Sequence, residues 1–173
     1  MSSSKTGFFE LIEKRVRETD SPLCVGLDPR SPLEGILEEN RRLITATIPY
    51  AACYKPNIAF YEAHGPAGLE ALKKTLALIP EEIPVIIDAK RGDIGSTAEA
   101  YAQALYGDLG ADAVTLAPYM GKDSVDPFLK DSSKGVFLLC RTSNPGAPLM
   151  QDLDIGGEPL YVTLARKMTA WDS

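Results

Sequence analysis

With 173 residues, 45% of them hydrophobic, the chain is long enough to enclose one substantial core and short enough to be a single domain. Its net charge of −6 argues against nucleic-acid binding, and no apolar run approaches the roughly 18 residues that cross a bilayer. A small-molecule partner in the cytoplasm, with no nucleic acid and no membrane, is the expectation.

In chain order, "MSSSKTGFFELIEKRV" carries acidic residues and lacks the apolar core of a signal peptide. "LCVGLD" (23–28) is the first run short and apolar enough for a buried strand, and "PLEGILEENRRLITATI" (32–48) follows it as a helix. "ACYKPN" (52–57) and the helix "GPAGLEALKKTLALI" (65–79) form the second such pair, with His64, the single histidine, in the turn-like "YEAHGPAG" as a surface or capping residue. "PVIIDAK" (84–90) precedes the helix "STAEAYAQALYGDLG" (96–110), where Ser96 and Glu99 have capping-box spacing. "DAVTLAP" (112–118) pairs with the helical "SVDPFLKD" (124–131), and "KGVFLLCR" (134–141) with "EPLYVTLARKMTAW" (158–171), across a long loop at 144–159. Cys24, Cys53 and Cys140 are odd in number and contain no Cys-x-x-Cys, so neither a disulfide nor a structural zinc is expected.

Strict alternation of nearly continuous apolar strands with helices means a parallel sheet covered by helices. Either an open doubly wound sheet or part of a (β/α)8 TIM barrel satisfies it. No G-x-G-x-x-G and no P-loop occurs, which argues against a dinucleotide. Polar groups recur instead at successive strand ends: Asp28, Lys55, Asp88 with Lys90, and Ser143 just past the fifth strand. That pattern marks the active-site face of a barrel. Alternation along the third strand turns Asp88 and Lys90 into the interior with Ile86, and Val85, Ile87 and Ala89 toward the helices. Arg91 is an outward or rim residue, and Asp93, beyond the strand end, need not face its own barrel. Two ammoniums and two carboxylates converging at a barrel mouth make a poor stability device and a good preorganised electrostatic site.

"VGLDPR", "YKPNIAFYEAHG", "DAKRGDIGSTAEAYA" and "RTSNPGA", in this order and across nearly the whole chain, resemble the orotidine 5′-phosphate decarboxylase family, in its longer bacterial subgroup. The resemblance implies a catalytic tetrad of Lys55, Asp88, Lys90 and Asp93, with Asp93 reaching into the neighbouring subunit of a homodimer and Ile94 and Thr97 beside it at the interface. It further implies that Asp28 contacts the ribose and Ser143 the pyrimidine ring. The activity implied is metal-free, cofactor-free decarboxylation of orotidine 5′-monophosphate to UMP, in de novo pyrimidine synthesis.

Only five of a barrel's eight βα units can be found over residues 1–173, so a single partial barrel domain is expected. By the same resemblance, the loops that grip the 5′-phosphate belong to the three units not found, which leaves the activity of the short chain open. Alternatives are an inactive or non-catalytic nucleotide-binding remnant and a Mg²⁺-dependent sugar-phosphate decarboxylase or synthase on the same barrel, although the Lys55 ammonium would repel the metal. A class I aldolase using Lys90 ranks lower, because two adjacent carboxylates poorly suit a nucleophilic amine.

Overall fold

The computed structural model describes residues 7–171. The first six residues, part of the stretch read against a signal peptide, lie outside the described residues, as do 172 and 173. Phe8, Ile12 and Val16 recur at helical spacing, and Phe8–Thr19 forms α1. The strand-helix alternation gives no warning of this helix, because α1 precedes the first strand and connects nothing. It is tied down from both ends. The Phe8 N–H donates to the Ser133 carbonyl at 2.9 Å, and the Arg15 guanidinium donates to the carbonyls of Ala51 at 3.0 Å and Ile48 at 2.6 Å.

Five strands follow: β1 (Leu23–Gly26), β2 (Ala51–Lys55), β3 (Ile86–Arg91), β4 (Ala113–Leu116) and β5 (Gly135–Leu138). β1 pairs with β2, β3 with β4, and β4 with β5, all parallel. Parallel bridges Tyr54–Val85 and Asn57–Asp88 join β2 to β3. The spatial order is therefore the chain order, each strand added on the same side of the last. A doubly wound sheet reverses its order at a switch point, so the barrel-type order replaces that alternative. β1 and β5 each have one paired neighbour among the described residues.

The connecting helices are α2 (Leu33–Thr47), α3 (Ala59–Glu62), α4 (Gly65–Leu76), α5 (Gly95–Ala102), α6 (Asp126–Leu129), α7 (Ala147–Gln151) and α8 (Leu160–Met168). The chain continues past α5 in a π-helical turn, Gln103–Asp108. Two local expectations need correction. α5 begins one residue before Ser96, with Ile94 at the N-cap and no side-chain cap bond, while Glu99 accepts a 2.8 Å hydrogen bond from Lys130. The Ser96–Glu99 capping box is not formed, because the helix has already begun at Gly95 and Ser96 lies inside its first turn rather than at the N-cap. The 144–159 loop is also interrupted, by α7 and by an antiparallel Asp154–Pro159 bridge. His64 is exposed at the N-cap position of α4, where its side chain makes no cap bond. Among the described residues no helix is long and apolar enough to cross a membrane.

Alternation sorts the strand residues onto two faces. Ile87, Ala89, Val114 and Leu116 pack with Tyr61, Leu72, Ala98, Leu105 and Phe128 of the helix layer, and Val25, Leu27 and Tyr54 pack with Ile44. On the opposite face Cys53, Ile86 and Ala113 close around Phe8, so α1 plugs the amino-terminal end of the strands. Gly135 completes that floor. A β-carbon there would lie 2.8 Å from Phe8 Cε1 and 2.9 Å from the Ala113 β-carbon, both too close. Gly135→Ala is therefore expected to destabilise the fold by about 1–3 kcal/mol, the usual cost of overpacking. A urea midpoint shift that Phe8→Ala partly reverses in the double variant would support this; independent, additive effects would refute it.

Candidate active site

At the carboxyl end of β3 the strand stops behaving as a simple strand. Ile87 pairs with Val114, but the next register pair is Arg91 with Leu116, so four steps along β3 match two along β4. The extra length is a bulge, a device that re-aims side chains beside functional sites. Within it Lys90 has φ +47°, in the left-handed region that costs an L-residue about 1–2 kcal/mol. Alternation alone would place Lys90 above Asp88. The kink does more, folding the ammonium back so that it meets both carboxylate oxygens of Asp88 at 2.6 Å. Gly92 follows as a close-approach position, since a β-carbon there would lie 2.7 Å from the Ala117 carbonyl oxygen.

Asp88 is the centre of the cluster. The residue is 8% exposed, and its carboxylate is met by Lys90, by the Lys55 ammonium at 3.7 Å and by the Thr115 hydroxyl, which donates at 2.7 Å. Burial pushes the Asp88 carboxyl up; hydrogen bonds from Lys90 and Thr115 and the charges of Lys90 and Lys55 outweigh it and hold the group below the ordinary carboxylate range. The two ammoniums are more open than their partner, with side chains 35% and 47% exposed for Lys55 and Lys90. A buried anion thus sits beside two part-exposed cations at the carboxyl ends of β2 and β3. Such an arrangement can hold an anionic substrate against the ammoniums while presenting a fixed negative charge from below.

The other residues singled out from the sequence fall in two groups. Asp28 joins the cluster at one remove: its Oδ1 accepts the Asn57 N–H at 3.0 Å, and Asn57 is bridged to Asp88. Asp93, Ile94 and Thr97 are not brought to it. The Asp93 carboxylate accepts the neighbouring Ile94 N–H at 2.8 Å and makes no hydrogen bond or ion pair to Lys55 or Lys90. Ile94 is 53% exposed and Thr97 is exposed on the first turn of α5. Ser143 is exposed in the segment after β5, which is fastened to the α7 region by Arg141–Asp152 bonds of 2.7 and 2.9 Å and by the Thr142 N–H donating to Gln151 at 2.7 Å. Arg91 points away from the cluster into the helix layer, paired with Glu62 and lying 5.3 Å from the Tyr101 ring centre, as an outward residue should.

Sequence reasoning missed Thr115 and Asn57. For Thr115 the signal was available: it is the polar member of the Ala113, Thr115, Ala117 face of an otherwise apolar strand.

Residues 21–170 match the Orotidine 5′-phosphate decarboxylase / HUMPS family. The chain belongs to this family. It is 50% identical to orotidine 5′-phosphate decarboxylase of Thermomicrobium roseum over 95% of the chain and 63% of that relative, and 49% identical to that of Herpetosiphon aurantiacus over 96% of the chain and 66% of the relative. Among solved structures, OMP decarboxylase of Leishmania donovani superposes with a TM-score of 0.90 at 47% identity, covering 94% of the chain and 64% of that protein. The chain thus spans a little under two thirds of the length of these orotidine 5′-phosphate decarboxylases. Its five parallel strands in chain order are a part of their TIM barrel.

Proposed function

We propose that this chain carries the catalytic half of a cytoplasmic orotidine 5′-monophosphate decarboxylase, a cofactor-free enzyme releasing CO₂ and UMP in de novo pyrimidine synthesis. On this reading residues 1–173 form a single partial barrel domain. The observation that carries the reading is the buried Asp88 carboxylate bracketed by Lys55 and Lys90, in a chain of this family.

Breaking the C6–CO₂⁻ bond leaves the electron pair at C6 in the ring plane, where the π system cannot delocalise it. An external charge must therefore stabilise it. The Lys90 ammonium faces C6, stabilises the developing carbanion and transfers a proton to it; the resulting amine regains a proton from water. Asp88 lies beside the departing carboxylate, so its fixed charge is opposed in the substrate complex and relieved as CO₂ leaves. Lys55 holds the carboxylate side of the cluster and reaches toward the ribose, with Asp28 contacting ribose hydroxyls and Ser143 the pyrimidine. Asp93, with Ile94 and Thr97, completes the site of the second copy in a homodimer.

The test follows the ultraviolet absorbance loss of orotidine 5′-monophosphate with residues 1–173 alone and with a separately supplied C-terminal piece of a close relative. β1 and β5 each have one paired neighbour among the described residues, so residues 1–173 by themselves are expected to turn over poorly and the supplemented chain to gain at least ~10²-fold through restored substrate positioning. Failure of both, with the mixed complex assembled, would overturn the reading.

A further inference from the structure

Asp88 and Lys90 can act only if the bulge that aims them persists, and three hydrogen bonds at one atom hold it. The Thr115 hydroxyl oxygen accepts the N–H of Ala89 and the N–H of Lys90, each at 3.0 Å, and its proton goes to Asp88 Oδ1 at 2.7 Å. A hydroxyl has two acceptor sites and one proton. Both sites are taken by consecutive backbone N–H groups, so the proton direction is fixed and the hydroxyl is fully used. The two N–H groups flank Ala89, so their convergence on one acceptor fixes the Ala89 backbone and with it the peptide plane that leads into Lys90, whose φ is +47°. A strained residue of this kind persists only where its surroundings over-determine it.

We infer that Thr115 is a positioning residue: through one hydroxyl it holds the peptide plane from which the left-handed Lys90 springs and pins the Asp88 carboxylate, so that ammonium and carboxylate keep their relative placement through turnover. Thr115 acts through these two groups, and its kinetic consequence rests on the decarboxylase reading; its structural consequence does not. Asp88 is faced by Lys55 from β2, by Lys90 from its own strand and by Thr115 from β4, and of these only Thr115 also holds the strand backbone.

Thr115→Val keeps the shape and β-propensity of the side chain and removes the hydroxyl. Thr115→Ser keeps all three hydrogen bonds and loses a methyl group. Valine is expected to lower kcat about 10- to 100-fold with KM changed less than about threefold, because misplacement of the reacting groups costs rate more than binding. Serine is expected to stay within about threefold of the threonine chain. Thr115→Ala, which adds no bulk, is expected to follow valine, so a folding defect peculiar to valine cannot imitate the result. The second readout needs no turnover. In a ¹³C-carboxyl titration of the aspartates, with the Asp88 resonance identified by its loss in Asp88→Asn, valine and alanine should raise the Asp88 midpoint while serine leaves it in place. If the valine and alanine chains keep kcat within about threefold and the Asp88 midpoint does not move, or if serine falls as far as valine in both readouts, the inference is overturned. If the unsubstituted chain and its supplemented complex never decarboxylate while the midpoint separates valine from serine, the positioning role stands and the decarboxylase reading falls.

Discussion

Lys90→Ala is expected to lower decarboxylation at least a thousandfold while UMP still binds, measured in the chain supplemented with its C-terminal complement. The ammonium is 2.6 Å from both oxygens of Asp88 on a half-exposed side chain, and it is the proposed proton donor and the nearest positive charge to C6. Losing both contributions from the transition state should add at least ~4 kcal/mol to the barrier. Product carries no charge at C6, so binding of UMP should change little. The substitution also removes the cation that most directly offsets the burial of Asp88, and it leaves the left-handed strain at position 90 in place, since alanine still has a β-carbon. Binding must therefore be checked by calorimetry alongside turnover. Retention of more than about a thousandth of the activity would remove Lys90 from the centre of the chemistry.

Much of this site was legible in the sequence, for a definite reason. The order of the strands follows from five apolar runs separated by helices, and the inward direction of Asp88 follows from period-2 alternation once Ile87 and Ala89 are assigned to the helix side; both packing assignments hold. Alternation becomes insufficient at Lys90. A bulge of two extra residues opposite β4 cannot be read from "DAKRGD", since Gly92 is the only local hint and it lies after the kink. Thr115 escaped notice for the related reason that its importance comes from a neighbouring strand, 25 and 27 residues away from Lys90 and Asp88. The Ser96–Glu99 spacing misled because the helix begins one residue earlier, at Gly95, which places Ser96 inside its first turn. α1 was invisible to an argument built on connections between strands, although its apolar spacing is plain in hindsight.

Asp93 is where the proposed site draws on a second copy of the chain, and it yields the second large effect. Its carboxylate is turned to the Ile94 N–H beyond the end of β3, next to an isoleucine that leaves half its surface in solvent, rather than toward Lys90. If Asp93 acts beside a Lys90 as proposed, its outward direction from its own strand end fits service to a second copy of the chain. Mixing Lys90→Ala chains with Asp93→Ala chains, both supplemented with the C-terminal piece of a close relative and each nearly inactive as a homodimer, should then restore turnover. In each hybrid dimer one site combines the intact Lys90 of one protomer with the intact Asp93 of the other, and the second site lacks both. Random exchange of equal amounts makes half of all dimers hybrid, so activity should recover to about a quarter of the unsubstituted level. Subunit exchange is verified independently with differently tagged chains and native mass spectrometry. Recovery that tracks the hybrid fraction would place Asp93 in the partner's site. Verified exchange with no recovery would mean that Asp93 serves its own chain after a rearrangement of the 92–97 segment, and the shared-site reading would be withdrawn.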